Sequence, residues 1–217
     1  MIIAIDGPAG SGKSTIAKLI AKDLDLVYLD TGAMYRIFTL KTLKENVECT
    51  NLKKINELLE ILDIDIDKDK FYLDKKDVTS EIRTTEVANN VSNIAAIKEV
   101  REKMVSLQRE FSKSKNIIVD GRDIGTVVFP NANVKIFLIA DTKERTNRRY
   151  KELKEKDKNI SWDEIYKNIL TRDEIDSTRK IAPLKKAEDA IEVDTTGKSI
   201  EEVKKIILEI ISLKYNI

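Results

Sequence analysis

Nine consecutive residues near the start, Gly7-Pro8-Ala9-Gly10-Ser11-Gly12-Lys13-Ser14-Thr15, have the types and spacing needed to hold a phosphate. Small residues let backbone N–H groups converge on an anion that bulkier side chains would obstruct. Lys13 can bridge the β- and γ-phosphates of a nucleotide, and the Ser14 hydroxyl can ligate Mg²⁺. The pattern has weight only between a strand and a helix, and the flanks supply both. Ile2 to Ile5 form a short apolar run, and Ile16, Leu19, Ile20 and Leu24 recur at helical spacing from about Gly12 onward. The helix then adds the positive end of its dipole to the anion site.

Two further motifs join acids to arginines. Asp30-Thr31-Gly32-Ala33-Met34-Tyr35-Arg36 follows a second apolar run, and Asp120-Gly121-Arg122-Asp123-Ile124-Gly125-Thr126 follows a third. In the first, Asp30 and Gly32 could also be a plain helix cap and turn. Asp120 follows Ile117-Ile118-Val119 and stands where a Mg²⁺-holding aspartate would. The chain has ten arginines against 29 lysines, so arginine placement is informative. Arg36, Arg83, Arg101, Arg122, Arg148, Arg149, Arg172 and Arg179 lie near strand ends, loops or these motifs. Guanidinium forks bind phosphate oxygens in a bidentate way that an ammonium does not. Taken singly, each could be an ordinary surface ion pair of little worth. As a set they suit two phosphorylated ligands meeting head to head.

Composition narrows the chemistry. The chain has no histidine, which removes imidazole acid–base catalysis and imidazole metal ligands together. Cys49 is the single cysteine, so no intramolecular disulfide can form. The net charge of +1 and 6% aromatic content argue against a nucleic-acid surface. No apolar stretch approaches membrane-spanning length, and the first apolar run is too short for a secretory leader. A soluble, reducing, cytoplasmic setting is expected, with no nucleic-acid and no membrane partner.

The elements that must position these residues alternate. Apolar runs at Ile2–Ile5, Val27–Leu29, Ile117–Val119, Val134–Ile139 and Ala190–Val193 are separated by helical patterns. This predicts an α/β fold with a parallel sheet covered on both faces. The first, third and fourth runs are the most continuously apolar, as central strands are. Ligands of such sheets bind beyond the carboxyl ends of the strands, where all three motifs fall. Capping boxes are expected at Asp141–Glu144, Ser161–Glu164 and Ser199–Glu202. The stretch from Ile64 to Arg83 breaks the rhythm and predicts a small antiparallel insert. Lys151 to Asn159 is dense in charge and follows Arg145, Arg148 and Arg149, so it reads as a mobile lid or as a solvated helix end.

At this point the sequence resembles the bacterial cytidylate kinases, nucleoside monophosphate kinases with a phosphate-binding loop. The resemblance rests on IDGPAGSGKST, LDTGAMYR, EIRTTEVAN, VREKM, VDGRDIGTVVFP, VKIFL, RDEIDSTR and APL, spread from Ile5 to Leu184. It implies one kinase domain over 1–217 with a five-stranded parallel sheet, a monophosphate-binding insert at 62–90 and a lid at 145–162. It also implies ATP as donor, Mg²⁺ as cofactor, CMP or dCMP as acceptor and a monomer. Arg36, Arg122 and Arg179 match residues holding the acceptor's phosphate, with Asp30 and Thr31 in the same substrate set. Thr31 stands where many relatives carry serine, and both keep a hydroxyl. Arg172 and Asp176 match the ribose set, and Ser92, Arg101 and Asp123 the base-reading set. The base-reading assignment makes chemical sense: cytosine's amine needs an acceptor, and its N3 and O2 need donors. Lys13, Asp120, Arg148 and Arg149 are the implied catalytic group. Rival readings are a GTPase, a kinase for UMP, shikimate or dephospho-coenzyme A, and a nucleotide sensor without turnover. Asp194-Thr195-Thr196-Gly197 fits the D-x-x-G of a GTPase, but no N-K-x-D guanine motif accompanies it.

Overall fold

The structure, a computed structural model, describes residues 1–67, 69–113, 115–155 and 160–215. The phosphate-loop strand β1 (Ile2–Asp6) is followed by α1 (Lys13–Asp23), β2 (Val27–Asp30), α2 (Thr31–Lys44) and α3 (Leu52–Glu60). Three short strands come next: β3 (Ile64–Asp67), β4 (Lys70–Leu73) and β5 (Lys76–Asp77). Helices α4 (Thr85–Ala95) and α5 (Lys98–Phe111) lead to β6 (Ile117–Gly121), a π-helical turn (Ile124–Val128) and β7 (Val134–Ile139). The chain closes with α6 (Thr142–Lys154), α7 (Trp162–Thr178), β8 (Ile191–Asp194) and α8 (Ile200–Tyr215).

The chain divides into two compact units, Met1–Leu29 with Ser114–Ile217, and Asp30–Lys113. The first is built on a five-stranded sheet in the order β2-β6-β1-β7-β8. β1 runs parallel to β6 and β7, and β7 parallel to β8. The most apolar strands are therefore the central three. Ile3, Ile5, Ile118, Ile136 and Leu138 bury completely or nearly so against Ile16 and Ile20 of α1 and Val203, Ile207 and Ile211 of α8. Full burial of each such side chain stabilises by about 1.5–3 kcal/mol. The chain leaves β1 toward β2 on one side and later returns to β7 and β8 on the other. The sheet thus has its topological switch point at β1, which is where such sheets take ligands.

The second unit carries the expected antiparallel insert. β3 pairs with β4 and β4 with β5, and Phe71, Leu73 and Val78 bury against Ala33, Ile37 and Leu40 of α2. Alternation of Ile64 and Ile66 with aspartates is the pattern of a strand with one dry face. The unit runs over 30–113, and within it α2, α4 and the insert share one core.

Of the three expected capping boxes, Ser199–Glu202 forms in both directions and Asp141–Glu144 forms only its N-cap half. Asp141 accepts from the Lys143 and Glu144 amides, and Glu202 accepts from the Ser199 amide and hydroxyl. Ser161 sits at the start of α7 but makes no side-chain cap bond. The expected lid spans the end of α6, where Lys151 and Lys154 complete the helix, and the start of α7; its residues 156–159 lie outside the described residues. Among the described residues, no helix is long and apolar enough to cross a membrane.

Candidate active site

The loop from Gly7 to Gly12 has the backbone that its glycines permit. Gly7, Gly10 and Gly12 have φ of 150°, 76° and 90°. A Cβ on Gly7 would lie 2.2 Å from the Leu138 carbonyl oxygen, so no other residue fits there. Gly12 is the N-cap of α1, leaving the first amides of that helix for an anion. Lys13 is buried, and its Nζ donates to the Pro8 carbonyl at 2.7 Å and to Ser11 Oγ at 3.4 Å. Burial holds its pKa well below the usual lysine value, and the Arg122 charge lowers it further against the opposing pull of Asp120, Asp6 and Asp176. An arriving polyphosphate would supply the counter-charge that this ammonium needs.

Ser14 meets Asp120 across 106 positions of sequence. Ser14 Oγ donates to Asp120 Oδ2 at 2.9 Å, and Tyr28 Oη donates to Asp120 Oδ1 at 2.7 Å. Both carboxylate oxygens are thereby oriented. A hydroxyl beside a fixed carboxylate is a hard oxygen donor set that suits Mg²⁺, which keeps several waters and borrows phosphate oxygens. Among the described residues no group of three or more cysteine or acidic side chains forms a metal cage by itself.

Beyond β6 the structure gathers four of the expected acceptor-side residues. Arg122 Nε donates to Asp176 Oδ2 at 2.8 Å. Arg179 Nη1 lies 3.8 Å from Asp176 Oδ1, and its Nη2 lies 3.7 Å from Asp123 Oδ1. All four carboxylate and guanidinium groups are buried or nearly so. Burial alone would raise the Asp176 pKa, but Arg122, Arg179 and Arg172 outweigh it and hold the carboxyl below its usual value. Burial alone would lower the Arg122 pKa; Asp176, Asp120 and Asp173 reverse that and raise it. The Arg122–Asp176 pair is thereby held in its ionised form.

Asp6, at the end of β1, was not expected from sequence. Its carboxylate accepts from the Ile124 amide at 2.8 Å and the Gly125 amide at 2.7 Å. Burial raises its pKa from 3.8 to about 6, with the Asp123 charge adding to the rise and the two amides and Lys13 opposing it.

α6 presents three arginines to three different jobs. Arg145, which no sequence motif marks as a site residue, is buried and donates to the Ala9 carbonyl of the phosphate loop at 3.0 Å. It also pairs with Asp173 of α7 at 2.6 Å. Arg148 donates to the Thr195 hydroxyl and carbonyl at 2.9 and 2.6 Å and to Glu144 at 3.1 Å. Arg149 pairs with Glu152 at 2.8 Å. Trp162 ties the two helices by donating to Asn147 Oδ1 at 2.8 Å.

The second unit holds the remaining expected residues. Asp30 is buried and caps α2 by accepting from the Ala33 amide at 2.8 Å, so its cap role is realised. Thr31 is buried in the first turn of that helix and Arg36 is half-buried on the second. Ser92 is buried on α4. Arg101 of α5 is buried, donates to the Ala95 carbonyl at 3.1 Å and lies over the Tyr35 ring at 5.3 Å. The ring and the carbonyl together fix the plane of the Arg101 guanidinium.

Comparison with known proteins gives one family. A family model described as cytidylate kinase matches residues 3–213. A cytidylate kinase of Fusobacterium nucleatum is 57% identical over 94% of this chain and 93% of its own length. That of Clostridioides difficile is 54% identical over 98% and 99%, and that of Bacillus subtilis is 47% identical over 98% and 96%. Among solved structures, a gluconokinase from Sinorhizobium meliloti superposes with a TM-score of 0.54 over 99% of this chain and 93% of that one. An uncharacterised protein from Eubacterium ventriosum gives 0.55 over 98% of each chain. At 12% and 13% identity, these two likenesses speak to the fold alone.

Proposed function

The chain belongs to the cytidylate kinase family, and on that premise we propose that it moves the γ-phosphate of ATP to CMP or dCMP, giving ADP and CDP or dCDP. One observation carries the reading beyond the family. The phosphate loop follows β1, Arg122 and Asp123 follow the neighbouring strand β6, Asp176 and Arg179 at the end of α7 join them there, and the charges of Arg122 and Asp176 act on Lys13.

Phosphoryl transfer passes through a loose transition state, so positioning and charge neutralisation do most of the work. Lys13 leaves the Pro8 carbonyl for the β- and γ-phosphate oxygens. Ser14 and Asp120 are the residues that would hold Mg²⁺, which when bound neutralises charge on those oxygens. Arg122 and Arg179 hold the acceptor's phosphate in line, and Asp123 accepts from the cytosine amine. Asp176, with Arg172, serves the ribose. In the second unit, Arg36 keeps its phosphate role, Asp30 and Thr31 belong to the substrate set, and Ser92 and Arg101 donate to the base. The acceptor oxygen is already anionic, so the missing histidine removes nothing the reaction needs. Arg148 and Arg149 reach the transferring group only after releasing Thr195 and Glu152, which makes their contribution conditional on lid closure. Closure excludes water and limits ATP hydrolysis.

The test is direct. Purified protein with ATP and Mg²⁺ is offered CMP, dCMP, UMP and AMP separately, and ADP formation is followed. Fast turnover with CMP and dCMP alone supports the reading; equal turnover with UMP, or none with any acceptor, overturns it. Size-exclusion chromatography with light scattering tests the expected monomer.

A further inference from the structure

We propose that Asp6 is a specificity-determining positioning residue: its carboxylate clamps the backbone of the turn that begins at Asp123 and so sets where the base-reading carboxylate points. The inference rests on the assignment of Asp123 to the cytosine amine made above.

Asp123 has φ −144° and ψ 25°, outside regular helix or strand, and it opens the π-helical turn Ile124–Val128. The far side of that turn is held from within. The Val127 and Val128 amides donate to the Asp123 carbonyl at 2.8 and 3.1 Å, and the Phe129 amide donates to the Ile124 carbonyl at 2.7 Å. The near side cannot be held this way, because the first amides of any helical turn lack an internal partner. Asp6 takes two of them, one on each carboxylate oxygen. It does so from another strand, 118 positions away, while buried to 4% exposure. The bond to the Ile124 amide fixes the peptide plane that joins Asp123 to Ile124, on which the Asp123 side chain is mounted, and the bond to the Gly125 amide fixes the next plane of the turn.

Gly125 shows how closely the clamp is fitted. A Cβ there would lie 3.1 Å from Lys135 Cδ and 3.4 Å from Asp6 Oδ2. The turn is thus held between the Asp6 carboxylate and the buried stem of Lys135, whose Nζ is itself tied to Pro130 and Asp189. The charged groups that face Asp6 are Lys13 and Asp123. Asp6 also adjoins Gly7, so one residue joins the strand feeding the phosphate loop to the turn reading the acceptor. Asp6 itself touches neither transferring phosphate in this assignment; it acts through Asp123.

Asp6→Asn tests this. The amide has nearly the same shape but offers one acceptor oxygen, and its NH₂ faces a backbone N–H. kcat and KM are measured for CMP, UMP and ATP in the wild type and the variant, with thermal unfolding as a check on folding. A site that leaves polar groups unpaired rejects the wrong base strongly, so loosening Asp123 should cut the CMP-over-UMP ratio in kcat/KM by about tenfold or more. The KM for ATP should stay within about twofold, because the loop amides are untouched. An unchanged CMP-over-UMP ratio overturns the proposal, and so does an equal rise in the KM of ATP and CMP. Gly125→Ala supplies a second arm if Asp6→Asn fails to fold. It pushes the same turn from the other side and should erode the same ratio; an intact ratio there overturns the proposal. If the wild type itself fails to prefer CMP over UMP, the functional assignment falls and takes this inference with it. If the wild type prefers CMP and both variants keep that preference, only the role of Asp6 falls.

Discussion

Replacing Arg145 by methionine should separate what holds the phosphate loop from what it binds. The guanidinium makes four connections: Asp173 at 2.6 Å, Ala9 O at 3.0 Å, Ala140 O at 3.0 Å and Thr142 Oγ1 at 2.8 Å. Its side chain is 5% exposed and that of Asp173 is 21% exposed. Removing one partner of a buried ion pair costs about 3–5 kcal/mol, since the other charge stays behind unpaired. Asp173 keeps some access to water, so the lower end, about 3 kcal/mol, is expected for Arg145→Met. For a chain of this size that lowers Tm by roughly 6–12 °C. The double variant Arg145→Met/Asp173→Leu leaves no unpaired charge and should regain about 2 kcal/mol of the loss. ATP affinity should not recover with it, because Ala9 still lacks its donor in the double variant. Urea melts and nucleotide titrations on the wild type, both single variants and the double variant complete the cycle. A loss under about 1 kcal/mol in Arg145→Met, against the buried-pair estimate, would refute the reasoning. So would ATP affinity that returns together with stability.

Three further outcomes are expected. Lys13→Ala should lose about two to three orders of magnitude in kcat while keeping the wild-type fold by circular dichroism; near-normal transfer would remove Lys13 from the transition state. Asp123→Ala should lose the preference for CMP over UMP, by about tenfold or more in kcat/KM, and an unchanged ratio would take Asp123 out of base reading. The third concerns pH. Because the folded Asp6 carboxyl has its pKa raised from 3.8 to about 6, the folded state binds this proton more tightly than the unfolded chain. That contribution is fully present below the unfolded value and is lost as pH rises through about 6. Between pH 4.5 and 7.5 the wild type should therefore lose about 2 kcal/mol of unfolding free energy relative to Asp6→Asn. Urea melts that stay parallel over that range would show that Asp6 does not titrate in this way.

Local sequence determined a good deal. The glycines of the phosphate loop force its backbone, because only glycine tolerates φ of 76° or 90° there at no cost. The apolar runs set both the strands and their ranking, and the most apolar three, β6, β1 and β7, occupy the centre of the sheet. Asp141 and Ser199–Glu202 cap their helices through neighbours three or fewer residues away, a reach that sequence spacing already contains. Asp30 does the same for α2. The alternation after Ile64 announced the antiparallel insert for the same reason, since a period of two is a property of the strand itself.

Tertiary structure alone decided the partners. Ser14 and Tyr28 close on Asp120 from 106 and 92 positions away, and Asp6 reaches Ile124 and Gly125 across the gap between β1 and the turn after β6. No periodicity encodes such pairs; they exist because the sheet sets β6 beside β1. Ser161 has the spacing of a capping box and makes no cap bond, so a permitted local interaction is not a required one. Arg145 and Arg148 are alike in sequence, three residues apart on one helix. That spacing turns them to related but distinct directions, one into the phosphate loop and one onto Thr195 after β8. Sequence placed the charges near the strand ends. Which charge meets which is set by strand order and helix rotation.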